Sequence, residues 1–225
     1  MSAMRTSLAI ECAGETLHLL PERALWWPAG RVLFVADLHL GKAAAFRALG
    51  QPVPSGTTQA NFDRLNRLLH EHAPERLIFL GDFLHAAEAR TPAVLSELTA
   101  WRAQWSTLGC VLVRGNHDQR AGDPPAALGI EVVEEPWPLG PFAACHHPQA
   151  VPGRLVLAGH VHPAASLRGR GRDHLRLPCF ALDAEKLVLP AFGEFTGGHT
   201  LVPVPGLQLF PVNDDGVWRL PVRQP

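Results

Sequence analysis

Residues 31–42, RVLFVADLHLGK, constrain the fold more than any other stretch of the chain. Val32 to Ala36 run apolar without polar alternation, the pattern of a strand buried on both faces at the centre of a layered α/β sheet. Asp37 and His39 follow its carboxyl end one residue apart, so an extended backbone would send both side chains to one side. An acid and an imidazole placed in this way make half of a metal pocket. The plain alternative is an Asp that caps a turn beside an unrelated His.

The same unit recurs. Residues 76–80 and 110–113 are short apolar runs that end in Gly81-Asp82 and in Arg114-Gly115-Asn116-His117-Asp118. Helices are expected over 43–49, from Thr57 or Thr58 to His72 with Phe62, Leu65, Leu68 and Leu69 on one stripe, and over 93–105 with Val94, Leu98, Trp101 and Trp105 on another. Ahead of the first unit, Pro21 and Pro28 punctuate short strands expected at 7–11, 16–19 and 24–27. From about residue 128 the helical period is absent, and 130–133, 142–145, 155–158, 175–181, 186–189 and 217–220 read as strands among Gly and Pro. A βαβα first half and an all-β second half predict an α/β layered fold, with two β-sheets packed face to face and helices outside, in one domain over 1–225. In open α/β sheets, ligands bind at the carboxyl edge of the strands, and that is where the polar blocks fall.

Composition narrows the function classes. Of 225 residues, 47% are hydrophobic and 18% charged, values of a globular chain rather than a disordered one. A net charge of −1 gives no global pull toward nucleic acid or membrane, so any polyanion contact must be local. Cys12, Cys110, Cys145 and Cys179 form no CxxC pair, which argues against a zinc ribbon and against a disulfide framework. The first residues lack a signal-peptide pattern, and no stretch approaches the ~18 apolar residues of a bilayer span. A cytoplasmic protein with reduced thiols and no membrane partner is the expectation. The informative excess is the 12 histidines.

Polar blocks follow the apolar runs in order: Asp37-Leu38-His39, Gly81-Asp82-Phe83-Leu84-His85, Gly115-Asn116-His117-Asp118, Cys145-His146-His147 and Gly159-His160-Val161-His162. Each alone is weak; their joint occurrence carries the argument. Mixed carboxylate, imidazole and amide donors suit borderline divalent ions such as manganese, iron or zinc, not calcium and not a thiolate zinc site. Two such ions about 3.5–4 Å apart polarise a phosphoryl oxygen and activate water at neutral pH. A carboxylate must bridge ions held so close, and Asp82, in the middle of the set, is the candidate.

Together, DLHLGK, GDFLH, GNHD, a downstream His and GHVH resemble the calcineurin-like metallophosphoesterase superfamily over roughly residues 32–195. The resemblance implies that Asp37, His39 and His162 hold one metal, that Asn116, His146 and His160 hold the second, and that Asp82 bridges them. It implies that His117 faces the substrate, where its imidazolium stabilises phosphorane charge or protonates the leaving oxygen, with Asp118 to orient and charge it. His85 matches a second active-site histidine of the nuclease branch; otherwise it is a helix-start residue bonded to a backbone carbonyl. His146 directly follows the 142–145 run and is the expected ligand, leaving His147 either behind the ligands or facing the substrate. The usual pattern has a small residue after the ligand, so His146 and His147 remain to be told apart by geometry.

Superfamily membership does not settle the phosphoester. Arg168, Arg170 and Arg172, in RGRGRDH, make either a local basic loop that tracks a phosphate backbone or a solvated hairpin turn. The chain as a whole, with HHP around His147 and AFGEFTGG at 191–198, resembles the compact PdeM-like bacterial family encoded in repair clusters. That resemblance implies a manganese-dependent endonuclease acting on single-stranded DNA, with a repair helicase, exonuclease and ligase as partners. A small-molecule or cyclic-nucleotide phosphodiesterase is the main alternative. A lipid A-pathway pyrophosphatase needs a greasy insertion, which the short, Pro-rich segment 119–130 does not offer. A scaffold with a dead site fits poorly with a complete ligand set.

Overall fold

Two layers meet on the strand at residues 32–36. The computed structural model describes residues 6–48, 50–53, 56–169 and 174–221. The first layer opens with four antiparallel strands, β1 (Leu8–Cys12), β2 (Glu15–Leu19), β3 (Leu25–Trp27) and β4 (Val32–Ala36). It continues in parallel through β5 (Arg76–Leu80), β6 (Gly109–Val113) and β7 (Ile130–Val133), giving a seven-stranded sheet in sequential order. The crossovers contain α1 (Lys42–Ala48), α2 (Thr57–His72), α3 (Pro92–Gln104) and the short α4 (Asn116–Ala121).

All five residues of β4 are 0% exposed, as an uninterrupted apolar run requires. Leu33 and Val35 face the helical side, in one core with Phe62, Leu65 and Leu69 of α2 and Leu98 and Trp101 of α3. Val32, Phe34 and Ala36 face the other way, in a second core with Phe142, Leu157, Leu187 and Phe210. A buried aromatic such as Phe34 holds roughly 3–5 kcal/mol against truncation to Ala.

The second layer supplies that opposite face. Its strands are β8 (Trp137–Leu139), β9 (Phe142–Ala144), β10 (Leu155–Ala158), β11 (Pro163–Arg168), β12 (His174–Leu182), β13 (Lys186–Val188), β14 (His199–Thr200), β15 (Gln208–Asn213) and β16 (Gly216–Val217). They order as β14-β11-β12-β13-β10-β9-β8, with β15 and β16 branching from β12. β9, β10 and β13 run parallel, so their carboxyl ends lie together.

The expected layered α/β fold is present, with two differences. The helices cover the first sheet, whereas the outer face of the second is packed by Val161, Leu201, Leu207 and Leu220 from extended chain. The strands β8 and β11 were not expected, and the strand expected at 217–220 is the shorter β16; in β15, Pro211 pairs with Cys179 of β12. No helix among the described residues is long and apolar enough to cross a membrane.

Candidate metal centre

The β4–β5 pairing does not stop where the strands do. His39 N–H donates to Asp82 O at 2.8 Å and Leu40 N–H to Phe83 O at 2.8 Å, which draws Asp37-Leu38-His39 alongside Asp82. The second layer is fastened to the first by His160 N–H, which donates to Asp37 Oδ2 at 2.9 Å. Among the described residues, ten non-glycine residues have positive φ, and five of them are Asp37, His39, Asp82, His160 and His162. A left-handed backbone costs such residues roughly 1–3 kcal/mol each and persists where the surroundings enforce it. Asp37 and His39 therefore converge through left-handed turns (φ 53° and 45°), not through the extended backbone expected from their spacing. Gly81 is needed at its position: its φ is 75°, and a Cβ there would collide with the His146 ring.

Two donor sets share one carboxylate. Asp37, His39 and His162 place donor atoms within 4.8 Å of one another. On the other side, His146 Nε2 lies 3.0 Å from Asn116 Oδ1 and 3.1 Å from His160 Nδ1. Asp82 stands between them, with Oδ2 3.6 Å from His39 Nε2 and Oδ1 3.3 Å from His146 Nε2. Asp37, His39, Asp82 and His146 form a buried floor, while His117, His147 and His160 make a more open rim.

Ring orientation follows from backbone carbonyls. His146 Nδ1 donates to Leu80 O at 3.1 Å and His162 Nδ1 to Thr196 O at 3.1 Å, so each ring turns its Nε2 lone pair inward. Burial holds His39 below its ordinary range, with the charges of Lys42 and His162 adding to the effect. Burial likewise lowers His160, and lowers His85 to about 4 with help from Lys42. At His162 burial is outweighed by Asp37, whose hydrogen bond and charge raise it. Imidazoles beside carboxylates and an amide oxygen are the donors that divalent ions such as manganese, iron or zinc accept, so the residues present fit two such ions.

The histidines beside these sets also converge. His117 Nδ1 is 2.6 Å from His85 O, and the His85 and His117 rings stack with centroids 5.1 Å apart. His85 Nδ1 lies 3.4 Å from His39 Nδ1. Asp118 does not orient His117 as expected. Its Oδ1 accepts from Phe83 N–H at 2.9 Å and from Leu84 N–H at 3.2 Å, and its Oδ2 from Gly115 N–H at 2.9 Å. The His85 carbonyl fills the role assigned to Asp118, because a carboxylate committed to three N–H donors has no reach left for the ring. Burial raises Asp118 to about 6 despite those bonds.

The geometry also separates His146 from His147. His146 is fully buried against Asn116 and Asp82, whereas the His147 side chain is 43% exposed and its Nδ1 meets Glu135 Oε1 at 2.6 Å. Glu135 was not singled out from sequence, since no motif surrounds it; nor was Lys42, whose ammonium is lowered mainly by burial and acts on His39, His85 and His162. Of the basic loop, Arg168 ends β11 with its side chain undescribed, and Arg170 and Arg172 lie outside the described residues.

The calcineurin-like phosphoesterase family matches residues 30–147. A Pseudomonas putida nuclease, MPE, shares 51% identity, with 96% of this chain and 100% of that chain covered and a TM-score of 0.85. YfcE, a phosphoesterase from E. coli, shares 16% identity, with 85% and 99% of the two chains covered and a TM-score of 0.41. No curated protein matches the sequence. A family match beyond half the chain, set on paired Asp, His and Asn donors at the strand ends, makes this chain a member of the calcineurin-like phosphoesterase family.

Proposed function

We propose that this phosphoesterase cleaves phosphodiester bonds of single-stranded DNA with two manganese ions, in the setting of DNA repair. The observation that carries the reading is the position of Asp82, whose two oxygens face separate donor sets on a buried floor. Asp37, His39 and His162 would hold one ion and Asn116, His146 and His160 the other, with Asp82 common to both. Such a pair, when bound, polarises the phosphoryl oxygens and lowers the pKa of the attacking water. Support for a nucleic-acid substrate comes from the 51% identity to a nuclease across 96% of the chain. Support for manganese comes from the donor chemistry, which mixes hard carboxylates with imidazoles.

The chain's own groups supply binding and proton transfer. His117 carries its proton on Nδ1 toward His85 O, which leaves Nε2 as the atom that, when protonated, hands a proton to the leaving oxygen. The stacked His85 ring limits rotation of His117. His147, held by Glu135 on the open rim, would bind a non-bridging phosphate oxygen. An open rim favours flexible single strands over duplex.

The test is incubation of circular single-stranded DNA with manganese, magnesium or chelator, using Asp82→Ala protein as control. Nicking with manganese, absent in the control, is expected. Turnover of a small aryl phosphodiester without nicking would move the substrate to a small molecule.

A further inference from the structure

The segment at 193–198, GEFTGG, lies against the metal centre yet contributes no side chain to it. Gly193 N–H donates to Asp37 O at 3.1 Å, Thr196 O accepts from His162 Nδ1 at 3.1 Å, and His199 N–H, just past the segment, donates to His162 O at 2.8 Å, so the segment is tied to the rim along its length. Gly193 approaches Leu38 so closely that a Cβ would overlap the Leu38 carbonyl. Between this segment and the rest of the rim opens a cavity of about 230 Å³, lined by His162, Thr196, Arg23 and Arg176 among others. A predicted metal ligand and two arginines therefore line one cavity.

Two residues of its lining, and one next to the lining in the chain, are unused by the chemistry above. Arg23 sits in a tight turn with φ 64°, a left-handed conformation for which glycine would be the unstrained choice. Among the described residues, its guanidinium has no hydrogen-bond or ion-pair partner; the neighbouring Glu194 is paired to Arg64 at 3.0 Å. Arg176 is exposed and donates to Gly198 O, an uncharged partner that leaves its charge uncompensated. Phe195, in the middle of the segment, is 49% exposed and also has positive φ, 57°. Phe195 precedes Thr196 of the cavity lining in the chain, and an exposed aromatic at the edge of a cavity lined by two cations is a combination with which proteins bind single-stranded nucleic acid, the ring stacking a base and the cations taking the backbone.

We infer that Phe195, Arg23 and Arg176 form a subsite for the nucleotide next to the scissile phosphate, with the base on Phe195 and the flanking phosphate on the two arginines. The inference rests on the nucleic-acid reading of the metal centre and names where the strand leaves it. This local cationic track answers how a chain of net charge −1 holds a polyanion.

The experiment compares kcat/KM on a short oligothymidylate with kcat/KM on a small aryl phosphodiester, which cannot reach the subsite. The ratio is expected to fall about tenfold in Phe195→Ala, as stacking of one base predicts. Phe195→Trp is expected to restore it, and Arg23→Gln to lower it while flattening its salt dependence. A ratio unchanged in both Phe195→Ala and Arg23→Gln would overturn the subsite, including the case in which both substrates lose rate equally. Wild-type protein that turns over the aryl ester but not the oligonucleotide would instead overturn the nucleic-acid reading, and the subsite with it.

Discussion

Glu135 binds three successive donors of the His146-His147 turn: its Oε1 meets His147 Nδ1 at 2.6 Å, and its Oε2 accepts from His146 N–H at 2.6 Å and His147 N–H at 2.8 Å. Burial works against its charge, but these bonds hold its carboxyl below the usual range. Glu135→Ala is expected to lower activity or metal affinity roughly 10–100-fold, the usual cost of losing a partner behind a ligand. Calorimetric metal titration alongside steady-state kinetics checks it; unchanged values in both would mean that the turn holds its shape unaided.

Asp82→Ala is expected to abolish turnover and metal binding together, since both donor sets depend on the same carboxylate. Elemental analysis of the purified variant gives the metal content directly. A variant that keeps turnover refutes the shared site.

His117→Ala is expected to keep its metal content and to lose about 10²–10⁴ in rate, the contribution of a positioned acid. Its Nε2 comes no closer than 3.9 Å to Asp82, and it meets His39 only ring to ring, with centroids 4.9 Å apart, so its removal leaves the donor atoms of both sets in place. A metal-depleted variant would reassign His117 as a ligand.

Burial pushes the thiols of Cys110 and Cys179 up to about 11 and about 12. The folded chain thus keeps protons that the unfolded chain releases near its ordinary thiol pKa of about 8.5. The stability that follows is fully present below that value and is lost as pH rises toward 11 and beyond. The urea midpoint is expected to fall between about pH 9 and 11, less steeply in Cys179→Ala. Neither thiol should react with a disulfide reagent in native protein at pH 8.

Much of the site was legible before any coordinates, because apolar runs and the polar residues that end them are local patterns. Strands β4 and β5 begin and end where their residues predicted, and Asp37, His39, Asp82, Asn116, His146, His160 and His162 all gather at one edge. Strand β8 was hidden because a Pro inside a strand contradicts the local rule, and only pairing with the neighbouring β9 resolves the conflict.

The sequence by itself determined the family, the layered α/β fold and the types of donor at the strand ends. Only tertiary structure decided which groups meet. His160 N–H reaches Asp37 across 123 positions of chain. Asp118 binds the backbone at Phe83 and Leu84 instead of the ring beside it, and Glu135 orients His147 from a different strand connection. Arg23 faces a cavity with Arg176, more than half the chain away. Side-chain pairing of this kind depends on how buried donors find acceptors once the layers close, and sequence spacing carries no information about that choice.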